Sequence, residues 1–168
     1  EVGDLRPAQE LEREDAGGRA LANHAWHDDG AVASEVAVEH LRVARFVTVV
    51  ELQAERAPDA IAVVYEDQQL RYGELNRRAN RLAHYLRGLG VGPETLVGLC
   101  LERSVEMVVG FLGILKAGGA YLPLDPTYPQ ERLAWMLADT QTDLLLTQEN
   151  MLSHLGNPDG HVICFERD

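Results

Sequence analysis

The stretch Leu115–Pro129, LKAGGAYLPLDPTYP, decides the fold of this chain. Its lysine and glycine pair are typical of the end of an apolar helix, because glycine readily adopts the left-handed conformation that closes helices. The residues from Ala120 to Leu124 predict a very short strand. Three prolines then limit regular hydrogen bonding: Pro123, Pro126 and Pro129. A helix that ends, a short strand and a stiff exit are together typical of a helix that leads into a buried parallel strand.

The bulk composition is that of a soluble globular protein. The chain has 168 residues, 46% hydrophobic and 25% charged, which is enough for the core of one ordinary domain. The net charge of −12 argues against nucleic acid as a partner. No apolar run is long enough to predict a membrane span or a signal segment. Because the chain begins at Glu1 and not at methionine, we expect it to be cut from a longer protein.

Residues 1–44 differ in character from the rest of the chain. Acidic residues outnumber arginines there, no hydrophobic period is sustained, and proline and glycine interrupt any long helix. The segment therefore predicts a linker or a poorly ordered extension, with one helical piece from Ser34 to Arg45. It also contains His24, His27, Asp28 and Asp29, a spacing that could hold a metal ion. A glycine-rich stretch offers no rigid frame for such a site, so we do not expect one.

From Thr48 onward the pattern alternates between helices and strands. The first helix ends at Pro58, and a hairpin follows with strands Ile61–Tyr65 and Leu70–Tyr72 around a polar turn. An amphipathic helix is then indicated by apolar residues at three- and four-residue steps: Leu75, Ala79, Leu82, Leu86 and Leu89. A buried-type strand at 96–101 leads to a second apolar helix, which Ser104 is expected to cap.

The remaining pattern completes a parallel arrangement. Leu133, Met136 and Leu137 predict one face of a helix that ends near Asp139, and residues 144–146 and 162–165 predict two more strands. Strands that alternate with helices of this length indicate repeated βαβ units and a mainly parallel sheet. The predicted class is α/β, and Cys100, in the apolar run LVGLCL, is expected to be a reduced thiol in its core.

Two segments resemble core motifs of one family, the amino-acid adenylation domains of nonribosomal peptide synthetases. LKAGGAYLPLD resembles the second core motif of that family, and LRYGELN, at 70–76, resembles the first. The intervals between and after them are also similar to the family. The residues that carry the resemblance are expected to be structural: Leu70, Tyr72, Glu74, Leu75, Leu115, Lys116, Ala117, Gly118, Ala120, Tyr121, Pro123 and Asp125.

The resemblance implies both an activity and a limit to it. Such domains use ATP and magnesium to convert an amino acid to aminoacyl-AMP, which is then loaded on the phosphopantetheine thiol of a peptidyl carrier protein. The family requires a Gly- and Ser/Thr-rich triphosphate loop, an acidic residue for the substrate amine and a distant catalytic lysine, and none of these occurs in this sequence. We therefore expect residues 45–168 to be the truncated N-terminal part of an adenylation domain in a cytoplasmic protein. We expect this part to be inactive alone and to have no catalytic, cofactor-binding or metal-binding residues.

Two residues of the second motif suggest functional interpretations that we do not favour. Lys116, the sole lysine, could bind phosphate, but a lysine in the last turn of a helix is better explained by its contact with the helix dipole. Asp125 could bind magnesium, but its place between prolines is more typical of a carboxylate that accepts backbone N–H groups in a turn. The pair Gly118-Gly119 follows a helix, whereas phosphate loops precede one.

Two other functions remain open at this stage. The parent protein could be an acyl-CoA ligase, or another relative that adenylates a fatty or aryl acid. The chain could also be a non-catalytic scaffold or binding remnant. We expect it to be marginally stable by itself, with exposed apolar patches that favour aggregation.

Overall fold

The computed structural model describes residues 45–156 and 160–165. The predictions for residues 1–44, including the helical piece and the possible metal cluster, lie outside the described residues. Helix α1 covers residues 45–56 of the described chain. The later elements are β1 Ile61–Tyr65, β2 Gln68–Arg71, α2 Tyr72–Gly88, β3 Leu96–Cys100, α3 Val105–Ala117, β4 Ala120–Pro123, α4 Gln130–Asp139, β5 Leu144–Thr147, a 3-10 turn Glu149–Met151, α5 Leu152–Leu155 and β6 His161–Cys164.

The four later strands form one parallel sheet, as the sequence predicts. Their order is β4-β3-β5-β6, and each neighbouring pair is parallel. The hairpin β1-β2 is a separate antiparallel pair. The α/β class with a mainly parallel sheet is therefore confirmed.

Helices cover both faces of this sheet. On one face, α2 and α3 pack against the apolar side chains that β3, β5 and β6 direct toward them, including Val97, Leu146 and Ile163. On the other face, α4 contributes Leu133 and Leu137 to a second apolar cluster. A third cluster joins α1, the hairpin, α2 and α3. Strand β5 is buried along its whole length, as predicted, because it lies between two strands and under both layers.

The prediction that the strand of the second motif is buried is wrong. β4 is parallel to β3, but it forms one edge of the sheet, and Ala120, Tyr121 and Pro123 are exposed. Proline is tolerated there because an edge strand has ladder positions that need no amide donor. Ala120 and Leu124 donate their backbone N–H groups to Thr95 and Leu99, so the inner side of the strand is paired.

The hairpin turn is tighter than the sequence suggests. Tyr65 and Gln68 are paired, so only Glu66 and Asp67 form the turn and the two glutamines belong to β2. Glu66 has a φ of 53°, a left-handed conformation that a two-residue hairpin turn requires. Tyr72, predicted to end the strand, instead begins helix α2.

The apolar face of α2 is largely the predicted one, and Leu82 packs partly buried against two core clusters. Leu75, Ala79 and Leu86 are buried as predicted, but Leu89 lies beyond the helix end and is exposed. Ala83, which the periodicity did not single out, is buried instead. Large apolar side chains are exposed on α1, the hairpin and α4: Phe46, Val49, Leu52, Ile61, Val64 and Trp135.

Helix α3 begins and ends where the sequence predicts. The Ser104 hydroxyl accepts a hydrogen bond from the Met107 amide at 3.2 Å, which caps the first turn. Gly118 follows the last turn with a φ of 94°, and the amide of Gly119 donates to the Ile114 carbonyl. Glycine therefore closes this helix as expected.

Replacing Gly118 with alanine is expected to lower the free energy of unfolding by about 1 kcal/mol, because a Cβ is strained at this positive φ. Urea denaturation of the purified chain measures the change. Gly92→Ala is the matched control, since a Cβ there meets nothing within 4 Å and the φ is not left-handed. Equal losses for the two variants would contradict the role of Gly118 as the helix cap.

Candidate functional site

The carboxyl ends of the parallel strands form an open groove of about 1300 Å³. The chain leaves β3 toward α3 on one face of the sheet and leaves β4 toward α4 on the other. Adjacent strands whose next helices lie on opposite faces create a crevice, and α/β proteins bind ligands there. The groove is lined by the loops after both strands and by side chains of α1, α3 and α4, among them Phe46, Arg103, Phe111, Asp125 and Arg132.

The loop after β4 is held in one conformation by Asp125. Its Oδ1 accepts hydrogen bonds from the amide of Thr127 at 2.9 Å and from the Thr127 hydroxyl at 2.7 Å. The hydrogen bond from the Thr127 amide is the largest cause that lowers the pKa of the Asp125 carboxyl. The hydrogen bond from the Thr127 hydroxyl and the charges of Arg103 and Arg132 lower this pKa further. Asp125 therefore accepts hydrogen bonds within the turn, as expected from its place between prolines.

The charge on Asp125 gives a pH prediction. Because the pKa of Asp125 is lowered in the folded state, its carboxylate is ionised at neutral pH and accepts both hydrogen bonds of the turn. The stability that these bonds contribute is lost as the pH falls through the lowered pKa. We expect the amide chemical shift of Thr127 to titrate with a midpoint below the ordinary range of an aspartate. In Asp125→Asn the same signal should be flat over this range. A midpoint at or above the ordinary range would contradict the hydrogen-bonded turn.

Two arginines lie beside this loop. The guanidinium of Arg132 lies 4.0 Å from the centre of the Tyr128 ring, a cation–π contact that joins the first turn of α4 to the loop. Arg103 lines the same groove just before the N-cap of α3. His154 Nε2 lies 2.8 Å from the Tyr128 carbonyl oxygen, so α5 also supports the loop. The resemblance to the two motifs did not predict these side-chain positions.

The carboxyl ends of β3 and β5 and the loops that follow them are joined by polar contacts. The amide of Glu102 donates to Gln148 Oε1 at 3.1 Å, and the buried Thr147 hydroxyl donates to the Cys100 carbonyl at 2.9 Å. Cys100 is a buried free thiol, as expected, and burial raises its pKa to about 11. The negative charge of Asp125 acts in the same direction. A thiol in this state is not a nucleophile at neutral pH.

The single lysine has a different partner from the one expected. Lys116 lies in the last turn of α3, but its ammonium group is buried and forms an ion pair with Glu51 of α1. The carbonyls at the end of α3 are bound by Arg87, whose side chain donates to the backbone oxygens of Lys116 and Ala117. Both contacts join residues far apart in the sequence, so local periodicity could not reveal them.

The residues of the first motif lie at the end of β2 and the start of α2. Leu70 and Leu75 are buried in the third apolar cluster, and Tyr72 packs against it. Glu74 does not cap the helix: its carboxylate binds Arg77 and Arg78. The hydrogen bond from Arg78 is the largest cause that lowers the pKa of Glu74.

The residues of the two motifs lie in three different places in the structure. Asp125 and Pro123 line the groove at the carboxyl edge, whereas Leu115, Lys116, Gly118 and Ala120 line a second groove near the amino ends of β3 and β4. Tyr121 lines both grooves. Leu70 and Leu75 belong to the core under the hairpin. The motif residues therefore form no single site, and Ala117 is buried at the end of α3.

Two features are absent from residues 45–156 and 160–165: a cluster of metal ligands and a membrane-spanning helix. This part of the chain has no group of three or more potential metal-binding side chains. Within the same ranges, no helix combines the length and apolar character needed to cross a bilayer.

The sequence profile of the family described as AMP-binding enzyme matches residues 50–167. The chain belongs to this family. Within the AMP-binding enzymes it is 56% identical over 119 residues to one of the linear gramicidin synthase proteins of Brevibacillus parabrevis. It is 50% identical over 131 residues to tyrocidine synthase 3 of the same organism. These matches cover 71% and 78% of this chain but 2% of each relative, so the chain spans a small part of the proteins it matches.

Solved AMP-binding relatives share the fold. The nonribosomal peptide synthetase FmoA3, in its α-methyl-L-serine-AMP bound form, matches with a TM-score of 0.65 at 39% identity. The match covers 71% of this chain and 14% of that one. The chain is thus similar in sequence and in fold to part of a nonribosomal peptide synthetase adenylation domain, and the resemblance drawn from the two motifs is confirmed.

Proposed function

We propose that the protein to which this chain belongs activates an amino acid with ATP and magnesium, forming aminoacyl-AMP and pyrophosphate. The observation that carries this proposal is the 56% identity to a linear gramicidin synthase over 119 residues, together with a profile match that spans both motifs. The aminoacyl group would pass to the phosphopantetheine thiol of a peptidyl carrier protein. A cytoplasmic location suits a reaction that consumes ATP.

The role of this chain in that reaction is to supply scaffold. Asp125 and its arginine neighbours shape the loop at the carboxyl edge of the sheet, and the residues of the first motif pack in the core. The motif residues are structural, residues 45–168 are the N-terminal part of the adenylation domain, and residues 1–44 form a linker before it. No triphosphate loop of the family type occurs in the sequence, so we assign no ATP contact to this chain.

ATP–pyrophosphate exchange tests the proposal. A polypeptide that continues from this chain through the rest of the domain should catalyse exchange that depends on one or a few amino acids. The 168 residues alone should catalyse none. Exchange that depends on a fatty or aryl acid instead would overturn the choice of substrate, and turnover by the 168 residues alone would overturn the scaffold role.

A further inference from the structure

Helix α1 lies across the edge of the domain between the two grooves. Phe46, in its first described turn, lines the groove at the carboxyl ends of the strands. Glu51, further along the helix, lines the second groove of about 1040 Å³ at the amino ends of β3 and β4. The position of α1 therefore sets one wall of both grooves.

Apolar packing holds α1 only weakly. Of its described residues, only Val50 and Ala54 are buried apolar side chains, and Val47 packs partly against the same cluster. Val49 and Leu52 are exposed. Elements with few buried apolar contacts open at a lower free energy than the core does.

The ion pair between Lys116 and Glu51 also attaches α1 to the domain. The side chain of Lys116 is 4% exposed and that of Glu51 is 45% exposed, so the ammonium group is covered while its partner reaches water. A buried ammonium without its carboxylate is strongly unfavourable, whereas both groups are well solvated when the helix moves away. Glu51 therefore stabilises the seated position of α1, because Lys116 would otherwise be buried there without a partner.

The two ends of α1 are held differently. At its C-terminal end, backbone hydrogen bonds fix the chain that follows to the start of α2: Gly73 donates to the Pro58 carbonyl and Tyr72 donates to the Ala60 carbonyl, both at 3.0 Å. Toward the other end, Phe46 makes an edge-to-face contact with Phe111, with ring centres 5.7 Å apart. The helix can pivot about its C-terminal end without breaking a strand.

We propose that α1 is a strap that lifts as a unit about residues 57–58, and that the Lys116–Glu51 ion pair is the latch that keeps it seated. Lys116 is then a positioning residue: it acts through Glu51 on the placement of Phe46 in the groove wall. Lifting the strap opens both grooves while the four-stranded sheet stays intact. This inference does not depend on the amino-acid substrate.

Hydrogen exchange of the 168-residue chain, followed by mass spectrometry, tests the latch. In Glu51→Gln and in Lys116→Met, amides of residues 47–56 should exchange at least about tenfold faster, with β3 and β5 unchanged. Glu55→Gln is the matched control, because Glu55 is an exposed carboxylate on the same helix. The charge-exchanged double variant Glu51→Lys/Lys116→Glu should recover part of the protection.

Three results would overturn the proposal. Unchanged or slower exchange in α1 for Lys116→Met would mean that an apolar side chain holds the helix as well as the ion pair does. Equal acceleration in α1 and in β5 would mean global destabilisation without a separate strap. Loss of protection in Glu55→Gln to the same degree would remove the special role of Glu51. If Lys116→Met does not fold, Glu51→Gln decides among these outcomes, because its site is partly solvated.

Discussion

Replacing Leu146 with alanine is expected to lower the free energy of unfolding by about 3 kcal/mol. Leu146 is 0% exposed, and it lies in the middle of β5 between the sheet and the helical layer of α2 and α3. Removing its side chain leaves a cavity among residues that the sheet and two helices hold in place, so little collapse can fill it. Chemical denaturation of the purified chain measures the loss.

The same substitution at an exposed site is the control for Leu146. Leu89 follows the last turn of α2, and its side chain is 38% exposed. Leu89→Ala should therefore lower the free energy of unfolding by less than about 1 kcal/mol. Similar losses at the two positions would contradict the placement of β5 at the centre of the core. A variant of Leu146 that does not fold would agree with a loss larger than the total stability of the chain.

Replacing Gly113 with leucine is expected to cost about 2–3 kcal/mol, because it forces α2 and α3 apart. A Cβ at this position would lie 2.5 Å from Leu82 Cδ2 and 3.0 Å from Leu82 Cβ, so the clash reaches the base of the neighbouring side chain. A change of rotamer at Leu82 cannot relieve it. Thermal unfolding, followed by circular dichroism, should show a lower midpoint.

Gly88→Leu is the matched control for Gly113. It is also a helical glycine, at the end of α2, but a Cβ there meets nothing within 4 Å. Because leucine has a higher helix propensity than glycine, the control should be neutral or slightly stabilising. A loss of stability in the control as large as that of Gly113→Leu would show that the close approach of the two helices is not the cause.

Local signals in the sequence were sufficient for much of the fold. Ser104 and Gly118 mark the ends of α3 because capping depends on a few neighbouring residues. Leu144, Leu145 and Leu146 predict a buried strand because a parallel strand covered on both faces needs apolar residues throughout. The role of Asp125 in its turn followed from the prolines on either side of it.

The features that the sequence left open depend on contacts between distant residues. The strand of the second motif was predicted to be buried, but its place at the sheet edge is set by the order of four strands and not by its own residues. The partner of Lys116 lies on α1, and Arg87 reaches the end of α3 from α2. The groove at the carboxyl ends of the strands arises from the opposite faces taken by α3 and α4, which no single motif encodes.

A chimeric adenylation domain gives the most direct test of the scaffold role. Residues 50–167 of this chain would replace the matching segment in an adenylation domain of the linear gramicidin synthase relative, and ATP–pyrophosphate exchange would be measured with each proteinogenic amino acid. We predict that the chimera is active and keeps the amino-acid preference of the recipient. A soluble chimera that is inactive, or one that changes its preferred amino acid, would contradict the account.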